Sequence, residues 1–159
     1  MTNVIDTLQT SDVTDKLNDT EIRSIAELFA VKHYASGQAV VLSETGNHGD
    51  LSILANGNIK VKVPCGVGES TVCILHPGDM VDLASLASGS TINANFYAVG
   101  DTKILSMNKN QFDGLVHTHP MIMCRVIHGM MHNLKNIVRR MNGQIADLRN
   151  YIYSTNGRN

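Results

Sequence analysis

Tryptophan is absent from this 159-residue chain, charged residues make up only 17% of it, and there are just three cysteines. With 43% hydrophobic residues, the first two counts describe an ordinary globular chain, long enough for one domain to bury its own core without disulfides or metal. Cys65, Cys73 and Cys124 are odd in number and widely spaced with no C-x-x-C, which argues against a disulfide framework, structural zinc or an iron-sulfur cluster. They read as reduced thiols. No apolar run approaches the ~18–20 residues that span a bilayer, so no membrane partner is expected. The opening Met1-Thr-Asn-Val-Ile-Asp lacks the basic and long apolar stretches of a signal peptide, and the expected location is cytoplasmic. G-x-S-x-G, H-E-x-x-H, a Walker loop and a G-x-G-x-x-G opening a helix are all missing, so no catalytic residue is nominated and no enzyme is expected.

Net charge is −1, but the sign is divided along the chain. Residues 1–120 hold 7 Lys/Arg against 13 Asp/Glu, whereas 121–159 hold 6, including Arg125, Arg139, Arg140 and Arg149, against Asp147 alone. A basic tail on an acidic body is first of all a solvated helix face drawn to its own domain or to a second subunit, and second a surface for an anionic ligand.

The periodicity changes twice. From Thr14 to Ala30, Leu17, Ile22, Ile25 and Phe29 recur at helical spacing, and Asn18 with Glu21 three residues on reads as a capping box. Between Gly37 and Gly100 nine glycines separate short runs rich in Val, Ile, Leu and Thr; Ile59-Lys-Val61-Lys-Val63 alternates as a half-buried strand does, and Gly66-Val-Gly68 suits a hairpin turn. After Lys109 the helical pattern returns, to about Thr118 and then, with Pro120 suited to a first helical position, on to Tyr153. The fold class is therefore mainly β with flanking helices, a double-stranded β-helix or jelly roll plus a long C-terminal helix. The whole chain, 1–159, is one domain: helix 14–30, roll 31–108, helices 109–153.

In the last helix Met123, Ile127, Met130, Leu134, Ile137, Met141, Ile145, Leu148 and Ile152 recur every three or four residues, with one irregular four-four step around Gly143, where the helix should loosen or bend. Such a seam can pack on the roll, but it runs for about eight turns, longer than a roll of this size covers. A homodimer paired in parallel along this helix is expected. The Met-rich start of the helix also suits a pliable surface for a protein partner.

Tyr34-x-x-Gly37, Glu44-Thr-Gly46, Gly49-Asp50-Leu-Ser-Ile-Leu, Asn56-Gly57-Asn-Ile-Lys-Val and Leu75-His-Pro77-Gly78-Asp79 together resemble the cyclic nucleotide-binding domain family, from about Leu17 to Tyr153. The resemblance implies a β-roll sensor whose cassette, p-G-D-x-F-G-E-L-A-L-L … R-[ST]-A-T, holds the ribose hydroxyl by its Glu and the cyclic phosphate by its Arg and by helix N–H groups. Setting Leu83-Ala84-Ser85-Leu86 on L-A-L-L leaves this chain one residue short. The Gly then falls on Val81, the Glu on Asp82 and the Arg on Ile92. Candidate cassette residues are Asp82, Leu83, Ala84, Ser85, Ile92, Asn93 and Ala94. On the long helix Ile137 and Val138 align with the family's adenine-contacting hydroxyls, and both are apolar. Ordinary cyclic AMP binding is thus not expected. The candidate ligand is another nucleotide such as a cyclic dinucleotide, its phosphates met by Arg125, Arg139 or Arg140; the alternative is a ligand-free scaffold that keeps the fold. Some relatives append a helix-turn-helix after the long helix; none is found here, so direct DNA binding is not expected.

Cys124, His128 and His132 stand at i, i+4 and i+8, a pattern two His could use for a metal, but the third position has rotated about 80° from the first and no carboxylate follows. Packed or interfacial side chains explain them better, and no metal ligand is nominated. A haem or metal sensor ranks third.

Overall fold

The structure, a computed structural model, describes residues 3–41, 49–88 and 93–156. Helix α1 (Val4–Thr10) is capped by the Asn3 side chain, which accepts from the Ile5 amide at 3.1 Å, and a 3-10 turn follows at Asp12–Thr14. Neither element is legible in the pattern, because seven residues with Val4, Ile5 and Leu8 as the large aliphatics offer no period to read. Helix α2 (Asp19–Ala26) opens on the Asn18–Glu21 capping box, both bonds at 3.0 Å. It is shorter than the 14–30 read from sequence, since by Ala30 the chain has entered a strand.

Among the described residues the roll is one antiparallel sheet of β1 (Ala30–Tyr34), β2 (Leu51–Cys65), β3 (Gly68–Leu75), β4 (Met80–Val81) and β5 (Asn95–Met107), in the order β1-β5-β2-β3 with β4 added to β2. In β2 the alternation holds, Ile59 and Val61 buried and Lys60 exposed, and the turn into β3 takes Gly66 through φ +62°. The long β2–β5 pair slips register on both sides of Asn56. Gly57 stands there at φ +76°, and a Cβ on it would come 2.6 Å from the Asp101 carbonyl oxygen and the Thr102 hydroxyl. Only glycine fits, and the bulge bends both strands so that a single sheet encloses a core.

Two hydrophobic clusters result. One, with Leu8, Ile25, Leu51, Ile53, Met107 and Leu115, lies between sheet and helices; the other, with Leu54, Ile59, Val61, Phe96 and Ile104, fills the roll. Helix α3 (Leu83–Ser88) leads away from β4; α4 (Lys109–Thr118) carries a second capping box, Asn108 with Gln111; α5 (Pro120–Asn156) starts on its proline. At 1.5 Å per residue the 37 residues of α5 reach roughly 55 Å. It runs unbroken through Gly143, where a loosening was expected; one glycine costs a helix about 1 kcal/mol, too little to end it. Among the described residues no helix is long and apolar enough to cross a membrane.

Candidate functional site

A cavity of about 410 Å³ opens between the roll and α5. Its roll side is formed by Val61 and Val63 of β2, Val72, Cys73 and Leu75 of β3, and Met80 of β4, with Ala94 and Phe96 at the entry to β5. Asp82 and Leu83 close one end, and Asn133, Leu134, Ile137 and Met141 of α5 close the other side. Twelve of these fourteen residues are apolar, so the described wall provides hydrophobic contact and almost no polar recognition. Burial pushes the Cys73 thiol up from its ordinary value, with Arg140 pulling it down and Asp79 raising it further, so the sulfur faces the cavity as a neutral thiol.

The entry to the cassette differs from the reading in sequence. Val81 is a fully buried residue of β4, while the left-handed backbone belongs to Asp82, at φ +59°. The physical reason is plain: a β-branched residue resists that conformation, and Asp tolerates it because its carboxylate bonds locally, here accepting the Ser85 amide at 3.2 Å. Of the other cassette candidates, Leu83 and Ala94 line the cavity, Ser85 is buried in α3, Ala84 lies in α3, and Asn93 is exposed. Ile92, with Ser90 and Thr91, lies outside the described residues, as do Glu44 and Gly46.

Beside the cavity a polar cluster ties α5 to the turn between β3 and β4. Asp79, 4% exposed, accepts from the His76 amide (2.8 Å), from Asn133 Nδ2 (3.0 Å) and from both terminal nitrogens of Arg140. Asn133, 1% exposed, completes the cluster by accepting the Met80 amide at 2.9 Å. A buried carboxylate needs such a set of donors to remain charged, and α5 supplies two of its three sources. Arg140, expected to face a ligand phosphate, is thereby engaged with Asp79. Arg125 likewise pairs with Glu21 of α2, whose carboxyl is lowered by its hydrogen bond to the Asn18 amide and by Arg125. Arg139 is exposed and Val138 points away from the cavity, which Ile137 alone of that aligned pair reaches. Asn133 was not singled out in the sequence; an amide among aliphatics on a long helix is its one visible sign. Also visible in the sequence is that residues 63–102 contain no Lys or Arg at all.

Helix α5 has a second apolar face, and it corrects the seam. Met123 and Met130 pack into the cluster between sheet and helices, and Ile137 packs against the cluster in the roll, so these three belong to the chain's own core. Ile127, Met131, Leu134, Val138, Ile145, Leu148 and Ile152 are instead 40–63% exposed. With the half-buried Met141 they stand at spacings of four, three, four, three, four, three and four. That is an unbroken heptad pattern. The irregular step came from mixing residues of two adjacent faces. His128 and Cys124 are exposed, and His132 meets Asp15 at 3.3 Å; among the described residues no group of three or more His, Cys, Asp or Glu is placed to hold a metal.

The chain matches the family model for the cyclic nucleotide-binding domain over residues 31–119. No curated protein matches it. Among solved structures it is similar to a cyclic nucleotide-binding domain from Methylobacillus flagellatus KT, with a TM-score of 0.76 at 14% identity over 91% of this chain and 82% of that one. It is similar also to the catabolite activator protein of Thermus thermophilus (TM-score 0.66, 22% identity, 87% of this chain and 63% of that one). The N-terminal domain of a transcriptional regulator from Streptomyces coelicolor A3(2) gives a TM-score of 0.66 at 13% identity, over 85% and 94%. Identities this low speak to the fold alone, an antiparallel β-roll with flanking helices and a long C-terminal helix. The family model spans more than half of the 159 residues and covers the strands of the roll from β1 through β5, so the chain belongs to the cyclic nucleotide-binding domain family.

Proposed function

We propose that this is a non-enzymatic regulatory domain that works as a parallel homodimer along α5 and does not take cyclic nucleotides in the family's usual way. The observation that carries the second half is the forty-residue stretch 63–102 without a Lys or Arg. A cyclic phosphate is an anion, and placing it against an aliphatic wall without a guanidinium forfeits its hydration for nothing. The ungapped pairing that Asp82's backbone favours also sets Leu83, a wall residue, where the family's ribose-binding Glu stands. A cyclic dinucleotide fares no better, since Arg125 and Arg140 already hold carboxylates and Arg139 is exposed and not part of the cavity wall. The open cavity speaks against the ligand-free scaffold, because Ile137 leaves about 410 Å³ unfilled and Val138 faces elsewhere.

The dimer rests on the outer stripe of α5. Its alternate positions are Met131, Val138, Ile145 and Ile152, then Ile127, Leu134, Met141 and Leu148. Mostly β-branched residues at the first set and mostly leucine-like ones at the second favour two parallel strands. Exposed Cys124 falls seven residues before Met131, in the same set. Two tests follow. Calorimetric titration with cyclic AMP, cyclic GMP and cyclic di-GMP should give no heat of binding in the micromolar range; micromolar binding of any of them would sink the ligand half. A short bismaleimide should join two chains through Cys124, and a monomer in sedimentation with no cross-linked product would sink the dimer half.

A further inference from the structure

We infer that the cavity between the roll and α5 binds a neutral, hydrocarbon-rich small molecule, and that its occupancy is transmitted to the pairing of α5. This rests on the regulatory reading above and specifies the ligand of that same site. The volume, about 410 Å³, equals about fourteen water-sized groups at ~30 Å³ each and falls in the range of small-molecule sites. Apolar cavities of only ~150 Å³ stay dry and take up benzene.

Polarity decides the class of ligand. Among the described lining residues only Asp82 and Asn133 are polar, and Asn133 has its amide oxygen on Met80 N–H and its amide nitrogen on Asp79. Arg140, the cation that acts on the thiol of Cys73, is held by Asp79. An anion here would meet the aliphatic wall, and residues 63–102 hold no Lys or Arg to pair with it. Against the described wall, polar groups on the ligand would give up water for little return, whereas methylenes or ring carbons gain contact with aliphatic side chains. An alcohol or an aromatic hydrocarbon fits; its ionised acid counterpart does not.

The link to α5 is a matter of shared side chains. Leu134 and Met141 line the cavity and also belong to the heptad stripe. A ligand that orders them on one side alters the surface offered to the second helix on the other, so binding and pairing carry a common free energy.

The test uses the whole chain and the neutral dye N-phenyl-1-naphthylamine, which fluoresces in apolar surroundings. Expected are saturable binding with one dye per chain, displacement by 1-decanol, and no displacement by equal decanoate or by cyclic AMP. Ala94→Phe, which fills the cavity from the β5 side, should weaken the dye at least tenfold with an unchanged circular dichroism spectrum. Leu83→Glu, which puts a carboxylate into the wall, should do the same and serves if the first variant folds poorly. Dye binding untouched by both folded variants would overturn the site, while sedimentation and nucleotide titration still judged the regulatory reading on their own. Decanoate as effective as decanol would overturn the neutrality of the ligand, and displacement by micromolar cyclic AMP would overturn both this inference and the reading beneath it.

Discussion

The two faces of α5 are built on different principles. Its inner face, Val126, Met130, Asn133, Ile137 and Arg140, mixes apolar, amide and charged side chains, and each has a specific counterpart in the same chain. Its outer face, Ile127 through Ile152, carries only aliphatic side chains and Met on its stripe, exposed over seven of eight positions. Mixed chemistry marks the face whose partner is fixed by the fold. Uniform chemistry at strict heptad spacing marks a face suited to a copy of itself, since self-pairing in register needs no complementary set elsewhere. Leu134 and Met141 belong to both the stripe and the cavity, which gives this comparison its functional weight.

The largest effect is expected on the outer face. Replacing Ile145 and Leu148 by Asp touches nothing in the chain's own core, because both are more than half exposed. In a parallel pair the double variant removes four apolar side chains, each worth about 1.5–3 kcal/mol when buried. Sedimentation should show dissociation at least a thousand-fold easier, about 4.1 kcal/mol or more, with helical content retained. Unchanged sedimentation as a dimer would place the contact elsewhere and dissolve the contrast between the faces.

On the inner face the sharpest probe is Gly129. A Cβ there would stand 2.7 Å from the Asp12 carbonyl oxygen and closer still to that of Val13, so α5 lies directly on the 3-10 turn. Gly129→Leu must push the two apart at about 3 kcal/mol, the upper range for overpacking, which lowers Tm by roughly 6–12 °C in a chain of this size. Asp79→Asn follows. It leaves the size of the side chain intact but puts an amide where the His76 amide, Asn133 and Arg140 all donate. Because Arg140 is partly exposed and can turn to water, the expected loss is about 2–3 kcal/mol, read as a lower midpoint in urea.

These two probes also show what was legible in the sequence. The roll was, because Gly57 and the alternation of Ile59, Val61 and Val63 are local signals that act within a few residues. So were both helix starts with an Asn cap and a Glu or Gln three residues on, Asn18 with Glu21 and Asn108 with Gln111. The cluster of Asp79, Asn133 and Arg140 was not, since its bonds join residues 54 and 61 positions apart and no local period reports them. The seam was half legible. Residues 123, 130 and 137 fit the same three-four spacing as 127, 134 and 141, and only the three-dimensional placement of the roll says which of two adjoining stripes faces inward. At Asp82 the sequence motif suggested a gap, whereas the backbone shows that Asp itself occupies the left-handed position.

The smallest effect compares thiols, and it depends on the first variant. In the Ile145→Asp, Leu148→Asp variant, expected to be a monomer, Cys65 and Cys124 should be exposed while Cys73 stays buried in the cavity wall. Burial raises the Cys73 pKa because a thiolate there loses hydration that Arg140, occupied by Asp79, restores only in part. Less thiolate at a given pH means slower reaction, so two thiols should react rapidly with Ellman's reagent at pH 8 and the third slower by on the order of tenfold or more. The sign for stability follows from the same shift: with the folded value above the unfolded one, the contribution of Cys73 is complete below the ordinary thiol value and is lost as pH rises through the raised value. Cys73→Ala should therefore flatten the decline of Tm on the alkaline side while leaving its neutral plateau lower by the cost of the lost side-chain contacts. Three equally fast thiols would mean that the wall opens to water, and the contrast between a closed inner face and an open outer one would then hold only for the part of α5 before Asn133.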